Sequence, residues 1–309
     1  MAPQCAPMGR RVVRAAWQRH GLQCRRLFGA ATVAGESLTS RKLGNRTAGC
    51  IGMDIPGVLH TERDASAAVN IVRKAFDHGV TLFDVCDDNG SLLPAELFRK
   101  ATDAGGTPSG LIVSAHIGVA NDAVDHSPDA LRHQLDTLLK TLGTQSIPLL
   151  SLAGVDPNQP WEASLGLMKE FREQGLCDMV GVSDVHDTAH ITTALDKAGI
   201  VAVRHRMSVV NRHVQSSGIL DLCDQKSLAV LAYRPFGPPD NIAKLAHHPT
   251  LRQLADKHDT TPLQICLSWL LLTPCIIPLS PLPSVRLDGA DVDLDLADLE
   301  LFQKMQTEA

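Results

Sequence analysis

A closed parallel (β/α)8 barrel is the fold this chain predicts, and three observations predict it. Short apolar runs alternate with amphipathic helical patterns from about residue 41 to the carboxyl end, eight such runs can be counted, and the helical stripes between them start at proline or stop at glycine. Each stop turns the chain back to begin another strand in the same direction. A chain of 309 residues has room for two average domains, but α/β barrels of this size form one.

The candidate strands are "TAGCIGM" at 47–53, "VTLFDV" at 80–85, "LIVSAHI" at 111–117 and "IPLLSL" at 147–152. Four more follow: "CDMVGVS" at 177–183, "IVAVRH" at 200–205, "LAVLAY" at 228–233 and "CIIPLS" at 275–280. Between the first two, Ala68, Ile71, Val72 and Ala75 form a stripe that ends at Gly79. Ser127 and Pro128 read as an N-cap and first turn ahead of Leu131, Leu135, Leu138 and Leu142 on one face. Another helix starts at Pro160, carries Leu165, Met168 and Phe171, and stops at Gly175. These stripes are core faces, and their value is topological.

Composition excludes several classes. The net charge of -5 and 4% aromatics offer nucleic acid neither a basic surface nor stacking platforms. The eight cysteines, at 5, 24, 50, 86, 177, 223, 266 and 275, form no C-x-x-C pair and no zinc-like cluster, so they read as scattered thiols in a reducing compartment. No apolar run reaches the length of a membrane span. Residues 1–40 differ from the rest: six arginines from Arg10 to Arg26 precede the first acid, Glu36. That style is shared by mitochondrial presequences and by plain disordered extensions, and both readings stay open beside a barrel at 41–309.

In a parallel barrel, chemistry sits at the carboxyl ends of the strands. The residues there are Asp84 to Asn89, His116, Ala153, Ser183 with Asp184, Arg204, Tyr233 and Ser280. Together with "RKLG" at 41–44, "GCIGM" at 49–53, "VDPNQPWE" at 155–162, "GVSD" at 181–184, "AYRPFG" at 232–237 and "IIPLS" at 276–280, they resemble the aldo-keto reductases. The nearer likeness is to the branch containing pyridoxal reductases, and it covers about residues 41–305.

The resemblance implies a monomeric or weakly associated barrel that binds NADP(H) and reduces small carbonyl substrates, with hydride passing from nicotinamide C4 to the carbonyl carbon. It also implies a tetrad in which a tyrosine gives the proton, a lysine paired with an aspartate lowers that tyrosine's pKa, and a histidine holds the carbonyl oxygen. Carried over by position, the aspartate is Asp84, but the tyrosine falls on Asn89, the lysine on His116 and the histidine on Ala153. The chain has one tyrosine, Tyr233, and it already matches the aromatic residue that stacks on the nicotinamide.

For the cofactor, the resemblance assigns Ser183 to the carboxamide, with Asp184 in place of the common asparagine and Arg204 where a glutamine is usual. Ser280 closes the last strand, and Arg286 is the one nearby cation for a 2'-phosphate, so binding of NADP(H) or NAD(H) is expected without strong NADP preference.

From the residues, Asp84 is either a working acid or one half of a structural ion pair. His116 is expected beside Asp84, with an imidazole pKa raised by the carboxylate, and it is either a substitute acid or a histidine tolerated in a silent pocket. Asp87, Asp88, Asp122 and Asp125 read as solvated turn acids with no metal-loop spacing. His186, His190, His247 and His248 read as surface residues.

The function expected is that of a catalytically impaired aldo-keto reductase. Two alternatives are an active oxidoreductase built on Asp84 and His116, and a non-catalytic subunit bound to protein partners, for instance in a mitochondrial complex. A redox-neutral enzyme using the same pocket is a further class.

Overall fold

The computed structural model describes residues 40–104, 106, 110–120, 122–282 and 292–307. The extension at 1–39 and Arg286 lie outside the described residues.

Eight parallel strands close into a barrel: β3 (Gly52–Asp54), β4 (Leu82–Asp84), β5 (Ile112–Ile117), β8 (Ile147–Ala153), β9 (Cys177–Ser183), β10 (Ala202–Arg206), β11 (Ala229–Tyr233) and β12 (Ile276–Ser280). They follow one another around the wall in chain order, and β12 closes on β3 through Leu279↔Gly52 and Ser280↔Met53. The eight predicted runs are these eight strands, with one difference. "TAGCIGM" is not one strand: β2 (Arg46–Gly49) pairs antiparallel with β1 (Ser40–Leu43), and only Gly52–Asp54 enters the barrel. The chain bends at Cys50–Ile51 because the first segment lies under the barrel and the second climbs its wall.

The hairpin seals the amino-terminal end. Leu43 and Ala48 pack into the same cluster as Leu82, Ile112, Leu149 and Met179, which are the inward-facing residues of four strands. Side chains alternate along a strand, so the next inward positions are Asp84, Ser114, Ser151 and Gly181, followed by His116, Ala153 and Ser183. The barrel interior is thus apolar at its floor and polar toward its carboxyl mouth. Outward positions such as Phe83, Leu150, Val180 and Val203 join the larger core between wall and helices.

The helices are α1 (Ile55–Thr61), α2 (Ala65–Asp77), α3 (Leu93–Asp103), α4 (Pro128–Leu142), α5 (Trp161–Glu173) and α6 (Thr188–Ala198). Beyond them come α7 (His213–Ser216), α8 (Ile219–Gln225), α9 (Asn241–His247), α10 (Pro249–Lys257), α11 (Pro262–Leu271) and α12 (Leu296–Thr307). Their stripes face the wall as their spacing predicts. Ala68, Val72 and Ala75 of α2, Leu131, Leu135 and Leu138 of α4, and Leu165, Met168 and Phe171 of α5 are all buried. Ser127 does precede α4, but its hydroxyl makes no capping bond. Asp54, Asp64, Asp187 and Thr261 supply that bond to α1, α2, α6 and α11. No helix among the described residues is long and apolar enough to cross a membrane.

Candidate functional site

Strand β4 delivers Asp84 to the barrel interior with its side chain wholly buried. A buried carboxylate needs a partner, and the partner is Arg204 on β10, the strand directly opposite across the interior. Arg204 Nε donates to Asp84 Oδ2 at 2.9 Å. The same guanidinium donates from Nη1 to Ser183 Oγ at 3.3 Å and from Nη2 to the Cys86 carbonyl at 3.2 Å. Its carbon lies 3.8 Å above the ring centroid of Tyr233, a stacked cation–π contact. Burial works against the charge of Arg204, but Asp84, the leading attraction, helps raise its pKa well above the ordinary arginine value.

His116 does not form the pair expected of it. Its Nε2 lies 3.0 Å from the Asp87 carbonyl oxygen, while its Nδ1 is a buried nitrogen without a hydrogen-bond partner among the described residues. Burial first, and then the charge of Arg204, lower its pKa, and the pull of Asp84 in the other direction does not overcome them. The expected rise is therefore corrected to a fall: a guanidinium already holds the carboxylate, and a second positive charge beside it is disfavoured.

Asn89 sits exposed in the loop between β4 and α3, where its side-chain oxygen accepts from Ser91 N–H at 2.9 Å. That is a turn-capping role. Ala153 is buried at the end of β8, and its carbonyl oxygen lies 3.0 Å from His126 Nε2. Asp84, His116 and Ala153 thus stand near the carboxyl ends of three neighbouring strands, β4, β5 and β8, and Asn89 in the loop that follows β4.

The positions assigned to cofactor are engaged with one another. Ser183 Oγ donates to Asp184 Oδ2 at 3.1 Å. The Tyr233 hydroxyl donates to Asp184 Oδ1 at 2.9 Å and accepts from Arg206 Nε at 2.9 Å. Burial raises the Tyr233 pKa far above the usual phenol value, so this sole tyrosine is a poor acid. Ser280 Oγ turns onto the backbone of Leu282.

Three groups at the mouth escape the sequence reading. Asp88 is no solvated turn acid: Arg206 Nη2 and Arg234 Nη2 each lie 3.0 Å from its Oδ2, and Arg204 Nη1 lies 3.6 Å from Oδ1. Burial pushes its carboxyl up, but Arg204, Arg234 and Arg206 hold it below the usual carboxylate range. Arg206 was legible in principle, since it stands two residues after Arg204 on one strand and so shares its face. The third is Asp54, buried at the end of β3, where its Oδ1 accepts from Gly57 N–H at 3.0 Å. Burial, with Asp84 nearby, raises its pKa to about 6. The strand-end rule that singled out Asp84 applies equally to Asp54.

A cleft opens over this network with a cavity volume of about 40 Å³, lined by Asp54, Asp88, Arg204, Tyr233, Arg234 and Phe236 among others. Among the described residues no group of histidine, cysteine and acid side chains is arranged to hold a metal ion. His186 and His190 share no helix, because α6 begins at Thr188. The ring of His186 instead lies 5.0 Å from buried His205 and 5.4 Å from His213.

A parallel barrel with its polar mouth at the carboxyl ends of the strands defines the (β/α)8 class, in which chemistry and binding occupy that face. Residues 50–286 match the Aldo/keto reductase family, and the chain belongs to it. It is 26% identical over 262 residues to a probable aldo-keto reductase 1 of Glycine max, covering 72% of each chain. It is 27% identical over 225 residues to pyridoxine 4-dehydrogenase of Escherichia coli, covering 70% of this chain and 76% of that one. Among solved structures, the aldo/keto reductase from Klebsiella pneumoniae in complex with NADP and acetate shares the fold. Its TM-score is 0.72 at 18% identity, covering 87% of this chain and 95% of that one.

Proposed function

We propose that this aldo-keto reductase family member is impaired in carbonyl reduction, its mouth having become a self-paired ionic pocket. The observation that carries this reading is the position of Arg204, paired with Asp84 and stacked 3.8 Å above Tyr233. By resemblance, the Tyr233 face takes the nicotinamide ring, and Ser183 with residue 204 takes its carboxamide. Here the guanidinium covers that face and bonds that serine. The residues as they stand do not fit a nicotinamide ring, and a neutral ring gives Asp84 no charge in exchange for the one it would displace.

Proton supply points the same way. Asn89 cannot release a proton at ordinary pH, Tyr233 already donates to a carboxylate, and burial and the charge of Arg204 work against the protonated form of His116. One general acid contributes ~10²–10⁴-fold to such a reaction. The test is titration with NADPH and NADH, followed by a panel of aldehydes and ketones. The expected outcome is weak or absent nucleotide binding and turnover at least ~10²-fold below active family members. Tight NADPH binding with brisk turnover would overturn the proposal.

A further inference from the structure

We infer that the three arginines of the barrel mouth form a binding site for a short-chain carboxylate ligand, and that Asp88 is its internal occupant. Arg204 and Arg206 come from alternate positions of β10, and Arg234 is the residue after β11. Three guanidinium groups from two neighbouring strands therefore converge on one carboxylate, at 3.6, 3.0 and 3.0 Å. Guanidinium forks match planar oxyanions of this kind. Arg204 is also paired with Asp84 and lies 3.8 Å from Asp184, and Asp184 acts on Arg206 as well. Arg206 and Arg234 are 51% and 32% exposed, so an incoming anion can reach them.

The carboxylate now in the cradle belongs to a loop, not to a strand. Residues 85–91 are tied at the mouth by Arg204 on the Cys86 carbonyl, His116 on the Asp87 carbonyl and the three arginines on Asp88. The cleft begins at the cradle, since Asp88, Arg204 and Arg234 line it, and Pro235, Phe236, Pro239 and Ile242 add an apolar wall. Asp54 and Asp87 line it as well. An anionic head in the cradle with a short hydrocarbon tail against that wall describes the ligand. Backbone strain marks the same place: Asp184 and Arg234 hold left-handed φ of 54° and 51° without being glycine. Such strain collects at ligand clamps and switch segments.

Ligand and Asp88 compete for the same guanidinium groups, so binding frees the loop, and removing the internal competitor tightens binding. Calorimetric titration of the full chain with butyrate tests this, with inorganic phosphate as the comparison. Asp88→Asn is expected to bind butyrate roughly tenfold or more tightly than the wild type, and Arg206→Gln in that background to lose about as much. Saturating butyrate should also speed amide exchange at 86–90 in the wild type. Because Arg206 is half exposed, Arg206→Gln alone keeps the measurement available if Asp88→Asn does not fold; it should weaken wild-type binding. Equal affinity of wild type and Asp88→Asn, indifference to Arg206→Gln, or no binding by either protein would overturn the inference. Tighter binding of phosphate than of butyrate would overturn the carboxylate assignment. No nucleotide enters this titration, so its result is separate from that of the turnover test.

Discussion

An arginine with 1% of its side chain exposed carries a desolvation cost of several kcal/mol, and Arg204 offsets it with a hydrogen-bonded ion pair to Asp84, looser ones to Asp88 and Asp184, two further hydrogen bonds and an aromatic face. Removing one partner of such a pair leaves the other charge buried, so Arg204→Met should lower stability by ~3–5 kcal/mol in urea unfolding. The resemblance places a lysine at position 116 opposite this aspartate, and Asp84 already acts electrostatically on His116. Adding His116→Lys to Arg204→Met should therefore recover part of the loss. A double variant no more stable than the single one would show that a cation at 116 does not serve Asp84.

Asp54 makes the opposite kind of residue-scale statement. Its folded pKa of about 6 lies above the ordinary 3.8, so the fold prefers the neutral acid. Its contribution is most favourable below about pH 4 and is lost as pH rises through about 6, a difference on the order of 3 kcal/mol. Asp54→Asn keeps an acceptor for the Gly57 N–H and never ionises. It should be more stable than the wild type at pH 8, and the gap should close below about pH 4. A gap that stays constant across that range would remove Asp54 as the titrating group.

At the scale of elements, the loop from β4 to α3 is shaped as much by its glycine as by its charges. Gly90 has φ 79°, and a Cβ there would come within 2.4 Å of the Val119 carbonyl oxygen, the start of the small hairpin β6 (Val119–Ala120) and β7 (Ala123–Val124). Gly79, after α2, has φ 77° but open space around it. Gly79→Ala should cost only the left-handed conformation, roughly 1–2 kcal/mol. Gly90→Ala adds a backbone clash, so it should cost more by thermal unfolding; equal losses would mean the loop yields freely. The helices and most strand limits were legible because their signals are local: glycine stops, proline starts and stripes at three and four. The first predicted strand was not, because nothing local in "TAGCIGM" separates a floor hairpin from a wall strand. Burial under the barrel decides that.

At the scale of the whole molecule, the impaired-turnover proposal rests on how the barrel wall gathers side chains at its mouth. The eight strands, the family likeness and the want of a second tyrosine can all be read along the chain, since periodicity and composition are local properties. So can the residues that the resemblance sets at the tetrad positions, Asn89, His116 and Ala153. Which cation meets Asp84 cannot be read there. Asp84 and Arg204 are 120 residues apart on strands that are not neighbours, and they meet only because closure turns inward positions toward a shared axis. The same closure carries Asp88 from a loop that reads as solvent into a cradle of three arginines. The sequence by itself determined the barrel and the single tyrosine, Tyr233. Only the tertiary structure decided what fills the mouth, because charges buried in one interior must pair with whichever partners the barrel brings within reach.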